Sequence, residues 1–290
     1  MNETAAFDVL AAGYDVSFSQ SLTGQAQRNA SRSWLQAFLA NRGPLRILEI
    51  NCGTGDDAWW LASMGHTVTA TDQSAAMIKQ ARMKLIDGGA EANRITGMAM
   101  DAHRGLTGNS LIAAPQFITC SFEALSYTLA GEQYDLVFSN FAGLNCIDPR
   151  QLSTFGRSVA SLLRRDGHLA AVIFGKYCWW ETCYFLTKAN LRQAFRRWTH
   201  KPQLARLNDD VHQEIHYYSV RRFLRELPAF KLKARRPVGL FIPPSYMEPA
   251  MRRHRQVFTL LSKLENQLQQ FSVCSSLADH TYLLLKKELL

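Results

Sequence analysis

No apolar run in this sequence approaches the roughly 20 residues that cross a bilayer, so no membrane span is expected. The opening "MNETAAFDVLAAGYD" lacks the basic-then-apolar order of a secretory signal. The six cysteines, Cys52, Cys120, Cys146, Cys178, Cys183 and Cys274, include no C-x-x-C pair. That excludes a zinc-ribbon spacing and gives no sign of a disulfide framework, so no metal is expected and most cysteines read as small core residues. No internal repeat, low-complexity tract or clear linker interrupts the chain. A cytoplasmic location is the resulting expectation.

What is present is a 290-residue chain of 47% hydrophobic content, enough to bury a sizeable core as one elaborated domain. Its net charge of +9 is unevenly placed. Residues 1–150 hold 10 Lys/Arg against 14 Asp/Glu, while residues 151–290 hold 23 against 10. Such asymmetry is compatible with an acidic partner (nucleic acid, an anionic membrane surface, a phosphorylated small molecule or a carrier protein) and equally with a solvated basic surface. The clusters "RQAFRRW" and "MRRHRQVF" interleave aromatics with base, and helical spacing reads those aromatics as a buried face.

After a loop "AAGYDVSFSQSLTG", a helix is expected from about Gln25 to Ala40. Short apolar strands ("RILEI", "TVTAT", "QFITC", "YDLVFSN", "HLAAVIF") then alternate with amphipathic helices, which argues a parallel sheet covered on both faces. Ser74 is the expected N-cap of "SAAMIKQARMKLI". The helix "PRQLSTFGRSVASLLRR" is expected to close at Asp166-Gly167. Residues 88–114 read as a glycine-rich insertion, and residues 176–218, rich in Trp, Tyr and Arg, as a cap after the fifth strand. "FKLKARRPVGL" and "HTYLLLKKEL" are two final strands flanking a proline turn and a helix. The expected division is a lid over 1–44, a cofactor-binding core over 45–175, the cap over 176–218 and a C-terminal unit over 219–290.

The informative stretch is "LRILEINCGTGDD", a strand, a polar turn and a helix N-terminus, an arrangement whose backbone N–H groups hold polar ligands. The third glycine of a dinucleotide fingerprint is missing, and no Gly-Lys-Ser/Thr follows, which excludes a P-loop. Asp56 and Asp57 at the helix start would repel a pyrophosphate, whereas a ligand carrying an ammonium group suits them. Asn51 stands at a glycine-like position, which asparagine fills because it tolerates positive φ.

With Glu49 closing the first strand, Gly53 and Gly55 in the turn, and Asp72 closing the second strand, the chain resembles the class I S-adenosylmethionine-dependent methyltransferases. The resemblance implies a Rossmann-like, seven-stranded, mostly parallel sheet with helices on both faces, an N-terminal lid and a cap after strand five. It also implies S-adenosylmethionine as cofactor. Glu49 would help hold the methionine end, and Asp72 would accept hydrogen bonds from both ribose hydroxyls, a task that suits two carboxylate oxygens. The lid would contribute Tyr14 and Arg28, with Arg28 paired to the methionine carboxylate. Asn51, Cys52, Thr54, Gln73, Met77, Asn140 and Phe141 complete the implied binding set, with Ser121 and Phe122 beside adenine. Ser121 departs from the family's usual Asp, and Asp101 in "MAMDAHRGL" is a competing position.

In that family the transferred methyl is already activated, so the enzyme chiefly aligns donor and nucleophile. His212, His216 and Tyr217 in "VHQEIHYY" are the candidate general bases, and each also fits a packed cap. Tyr177, Trp179, Trp180 and Tyr184, with Phe241 and Tyr246, either wall an apolar pocket or seal the cap against the sheet. "SNFAGLN" lacks the prolines of adenine and glutamine N-methyltransferases. That argues against those classes and leaves other RNA chemistry open; the leading expectation is a small or carrier-bound metabolite as acceptor, anionic acceptors included. A nucleic-acid substrate and a noncatalytic scaffold are the alternatives.

Overall fold

A computed structural model describes residues 4–86, 113–208, 210–268 and 272–288. Helix α1 (Thr4–Asp8), a π-helical turn (Asp15–Ser19) and α2 (Leu22–Leu39) precede the sheet. The alternating segments then form β1 (Arg46–Ile50), α3 (Asp56–Ser63), β2 (Thr67–Asp72), α4 (Ala75–Ile86), β3 (Gln116–Thr119), α5 (Leu125–Thr128), β4 (Tyr134–Ser139), α6 (Pro149–Leu162) and β5 (Leu163–Phe174). The cap holds α7 (Trp179–Thr187), α8 (Leu191–Ala194) and the strands β6 (Gln203–Arg206) and β7 (His212–Ile215). The chain ends with α9 (Val220–Arg225), β8 (Phe230–Val238), α10 (Glu248–Arg253), α11 (Arg255–Leu268) and β9 (His280–Lys287).

The seven-stranded sheet has the order β3-β2-β1-β4-β5-β9-β8, parallel from β3 to β5, with β9 antiparallel to both its neighbours. Strands covered on both faces must be apolar on both, and Ile47, Leu48 and Ile50 of β1 are fully buried. One core cluster packs α6 and α9 against Leu48, Ile50 and Val137, while the other packs α2 and α3 against Ile47, Leu136 and Phe138. The first reversal in strand order lies between β1 and β4, and ligands of open α/β sheets bind at the carboxyl ends of the strands there.

Two boundaries and one buried face differ from expectation. Helix α6 ends at Leu162 rather than at Asp166-Gly167, because Leu163 already pairs with Tyr134 in the parallel ladder. Arg164 and Asp166 reach ion partners instead, Asp135 at 2.6 Å and Lys286 at 2.8 Å. Helix α2 starts at Leu22, three residues before the expected start. Ser21 caps it by accepting from the Gly24 N–H at 2.9 Å, and the Glu248 carboxylate accepts from Leu22 and Thr23 at 2.9 and 3.0 Å. That second cap comes from a distant helix, so no local signal announces it. Finally, "RQAFRRW" does not bury its aromatics: Phe195 and Trp198 are exposed, while Ala194 and Arg197 are buried. The expected N-cap Ser74 accepts from the Met77 N–H at 3.1 Å. Most of the expected 88–114 insertion, including Asp101, lies outside the described residues.

Candidate active site

The turn after β1 is built from left-handed backbone: Asn51, Gly53 and Gly55 have φ of 49°, 54° and 78°. Asparagine occupies the first of these positions with its side chain in use. Its Nδ2 donates to the Asn140 carbonyl at 2.9 Å, and its Oδ1 accepts from the Ser139 hydroxyl at 2.6 Å. The turn is thereby tied to the end of β4, where Phe141 and Ala142 also adopt φ of 50° and 62°. Such conformations in non-glycine residues cost roughly 1–3 kcal/mol each and persist where surrounding contacts enforce them. Gly55 has a packing reason to be glycine, since a Cβ there would meet the Phe117 ring at 2.7 Å.

Asp72 closes β2 facing that turn. Its Oδ2 accepts from the Gly53 N–H at 2.8 Å and its Oδ1 from Ser74 at 2.9 Å. Burial pushes its carboxyl above the ordinary range, against the pull of those N–H groups. Beneath the turn, Asp57 at the start of α3 is almost fully buried and accepts from Arg28 at 2.7 Å, Arg32 at 2.6 Å and Asn140 at 2.8 Å. Burial alone would raise its carboxyl, but Arg28 and then Arg32 outweigh it and hold the group low. Asp56 pairs with Lys84 at 2.5 Å. The two acids at the helix start are thus already ion-paired, and Arg28 is committed to Asp57 rather than free, as the resemblance implied, for a carboxylate alone.

Glu49 differs. It is 2% exposed, and its Oε2 has no hydrogen-bond partner, as is true of the buried Arg28 Nε. Burial first, and the neighbouring Asp57 second, push the Glu49 carboxyl well above its usual range.

One cavity of about 540 Å³ runs from this turn to the cap. Of the expected binding residues, Tyr14, Arg28, Glu49, Asn51, Cys52, Gly53, Thr54, Asp72, Gln73, Met77, Phe122, Asn140 and Phe141 line it, and Gly55 and Ser121 do not. Cys120 and Phe122 flank Ser121 and both line the cavity. Of the candidate bases, Tyr217 lines the cavity, whereas His212 is exposed on β7 and His216 is buried outside it. The aromatic wall of the cap end is Phe174, Tyr217 and Tyr246. The expected Tyr177, Trp179, Trp180, Tyr184 and Phe241 are not in it. Trp179 instead donates to the Leu240 carbonyl at 2.5 Å, sealing the cap to the loop after β8.

Two buried cavity positions at the start of β9, Asp279 and His280, escaped the sequence reading. Both line the cavity and are only 3% exposed. His280 stacks on Phe174 at 4.4 Å and meets Phe141 edge-on at 5.9 Å, so it stands where the turn end joins the cap end. Its Nδ1 has no hydrogen-bond partner and lies 3.4 Å from Asp279 Oδ2. Burial lowers its pKa to about 4, with Asp279 opposing, so the ring is neutral near pH 7. An Asp-His pair opening an otherwise apolar strand was the available signal.

Charge at the cap end is internally closed. Arg197 donates to Glu181 at 3.1 and 2.9 Å, to Asp279 Oδ1 at 2.7 Å, and to the carbonyls of Asp279 and Gly175 at 3.2 and 3.4 Å. Arg196 forks onto Glu181 at 2.8 and 2.7 Å, and Gln27 donates to Asp279 Oδ2 at 3.0 Å. Two guanidinium groups therefore face two carboxylates.

Among the described residues no cluster of His, Cys, Asp or Glu is suited to a metal ion, and no helix is long and apolar enough to cross a membrane. No curated protein matches the chain in sequence. The family described as a methyltransferase domain matches residues 47–111. Solved structures share the fold. A Burkholderia thailandensis 1,6-didemethyltoxoflavin-N1-methyltransferase, bound to 1,6-didemethyltoxoflavin and S-adenosylhomocysteine, is similar at TM-score 0.56 and 16% identity, over 99% of this chain and 87% of that one. A putative S-adenosylmethionine-dependent methyltransferase from Listeria monocytogenes is similar at TM-score 0.55 and 12% identity, over 90% and 98%. One from Mesorhizobium loti gives 0.51 and 15%, over 89% and 98%. The methyltransferase-domain match falls on the segment that carries Glu49, the left-handed turn and Asp72, and the solved methyltransferase structures share their fold with nearly the whole chain.

Proposed function

We propose that this enzyme methylates a small molecule whose reacting part is uncharged and planar. The observation that carries the donor end is the pair of buried, unpartnered atoms on cavity-lining residues, Glu49 Oε2 and Arg28 Nε. An unpaired carboxylate oxygen and an unpaired guanidinium N–H together suit an amino acid's ammonium and carboxylate, the zwitterionic end of S-adenosylmethionine. Asp72 would take the ribose hydroxyls, its two oxygens each retaining acceptor capacity beyond the single N–H now bound. When bound, the donor supplies a sulfonium methyl already activated for in-line attack.

The chain's own part is alignment and water exclusion. Phe174, Tyr217 and Tyr246 offer flat apolar walls, and the balanced Arg196, Arg197, Glu181 and Asp279 leave no net charge to attract an ion there. His280, neutral and beside Phe141, is placed to accept a proton from an O–H or N–H nucleophile, with Asp279 supporting the resulting charge. Tyr217 is the second proton-handling group. We keep 1–44 as lid, 45–175 as donor-binding core, 176–218 as cap and 219–290 as the C-terminal unit. The cytoplasm is the proposed compartment, since none of the six cysteines forms a disulfide.

Tritium transfer from labelled donor into a metabolite extract, followed by identification of the product, tests the reading. Label on an uncharged aromatic or heteroaromatic part of a small-molecule product is expected. Label only in RNA, or none with donor bound, would overturn it.

A further inference from the structure

Lys176, His200 and Arg222 meet on the flank of the cap, outside the cavity lining. Lys176 Nζ lies 3.4 and 3.5 Å from the two ring nitrogens of His200, and Arg222 Nη1 lies 3.0 Å from His200 Nδ1. Among the described residues, neither cation has a carboxylate within ion-pair distance. The contrast with Arg196 and Arg197, whose carboxylate partners are all in place, is direct. Lys176 is also only 8% exposed, and burial followed by the charge of Arg222 pushes its pKa below the lysine range. Lysine is rarely so buried without an acid, because an unpaired ammonium loses hydration with nothing in return.

The backbone holds this arrangement in place. Lys176 follows Phe174 of the cavity wall by two residues, and Gly175 bridges to Tyr218, next to the cavity-lining Tyr217. Arg222 sits on α9, whose start is capped by Ser219 accepting from the Arg222 N–H at 3.3 Å. A buried lysine, a half-buried arginine and an imidazole that can donate or accept, converging without an acid among the described residues, suit an anion with several acceptor oxygens.

We infer that Lys176, His200 and Arg222 form a binding site for a phosphate-class anion on the flank of the acceptor cap. The anion comes either from a phosphorylated tail of the acceptor, distal to its uncharged reacting end, or from free phosphate. Inorganic phosphate is the probe, titrated into the whole protein without methyl donor, with heat and the His200 ring resonances as readouts. Saturable binding of one phosphate at about 1 mM is expected. Lys176→Met and Arg222→Gln should each weaken it at least tenfold, and Lys176→Met should melt no lower than the parent because it removes an unpaired buried charge. Arg221→Gln, an exposed neighbour on α9, should leave binding unchanged. Absence of saturation up to about 20 mM, or equal weakening by Arg221→Gln, would overturn the site. Phosphatase treatment of the extract used for label transfer distinguishes the sources. Loss of labelling places the phosphate on the acceptor, and retained labelling with intact phosphate binding identifies the free anion. Phosphate binding needs no methyl transfer, so this site and the proposed reaction fail separately.

Discussion

Two buried charge networks, one at each end of the cavity, differ in a way that assigns them different work. At the cap end, Arg197 spends its donors on Glu181, Asp279 and two carbonyls, and the carboxylates match the guanidinium groups in number. At the donor end, Asp57 is saturated by Arg28, Arg32 and Asn140, yet Glu49 beside it keeps an unpartnered oxygen under burial that disfavours its charge. A closed network has its groups satisfied within the chain; the open one leaves a buried polar atom unsatisfied, which is what the proposed donor would complete.

The largest expected effect breaks the closed network. Arg197→Met leaves Glu181 and Asp279 as buried carboxylates short of partners and should cost about 3–5 kcal/mol in urea unfolding. Glu49→Gln, by contrast, should leave stability unchanged or higher. Equal losses for both variants would erase the distinction between the two ends.

Next is His280, at the junction. Its folded pKa of about 4 lies below the ordinary histidine value, so between pH 6.5 and about 4 the unfolded chain binds a proton that the folded chain refuses. Stability from this group is therefore full above that window and falls as pH drops through it, by about 3 kcal/mol. Subtracting the pH–stability curve of His280→Gln from that of the parent should reveal that decline. Parallel curves would mean that the folded ring titrates normally. Glu49 has the opposite sign: its raised pKa makes stability fall as pH rises from the ordinary glutamate value toward the folded one, and Glu49→Gln should flatten that decline.

Smaller effects sharpen the donor end. Asp72→Ala should weaken S-adenosylhomocysteine binding roughly 100-fold and Glu49→Gln roughly tenfold in calorimetry, about 2.7 and 1.4 kcal/mol. Unchanged affinity for Asp72→Ala would show that the ribose lies elsewhere. Smallest is Asn51→Gly, which keeps the positive φ but loses the bonds to the Asn140 carbonyl and Ser139 hydroxyl. About 1–2 kcal/mol in thermal unfolding is expected.

The donor end was legible because its parts are local. An apolar strand, a turn needing left-handed backbone and a second strand ending in Asp are contiguous, and each element leaves its own period and turn chemistry in the sequence. The same locality explains why Asn51 was readable as a glycine substitute. The cap end was not legible. Phe174, Tyr217, Tyr246 and His280 come from four separate segments, and local patterning does not say which of many cap aromatics face inward. Arg197 illustrates the failure: as one base in "RQAFRRW" it reads as solvated, and only Glu181 and Asp279, brought from other elements, make its burial tolerable.

The sequence by itself determined the alternation of strands and helices, the left-handed turn and the two strand-end acids, since backbone propensity and hydrophobic period act over a few residues. Tertiary structure alone decided which buried charges are paired and which keep an unpartnered atom. Electrostatic satisfaction depends on distances between groups far apart in the chain, and burial magnifies every partner gained or missing.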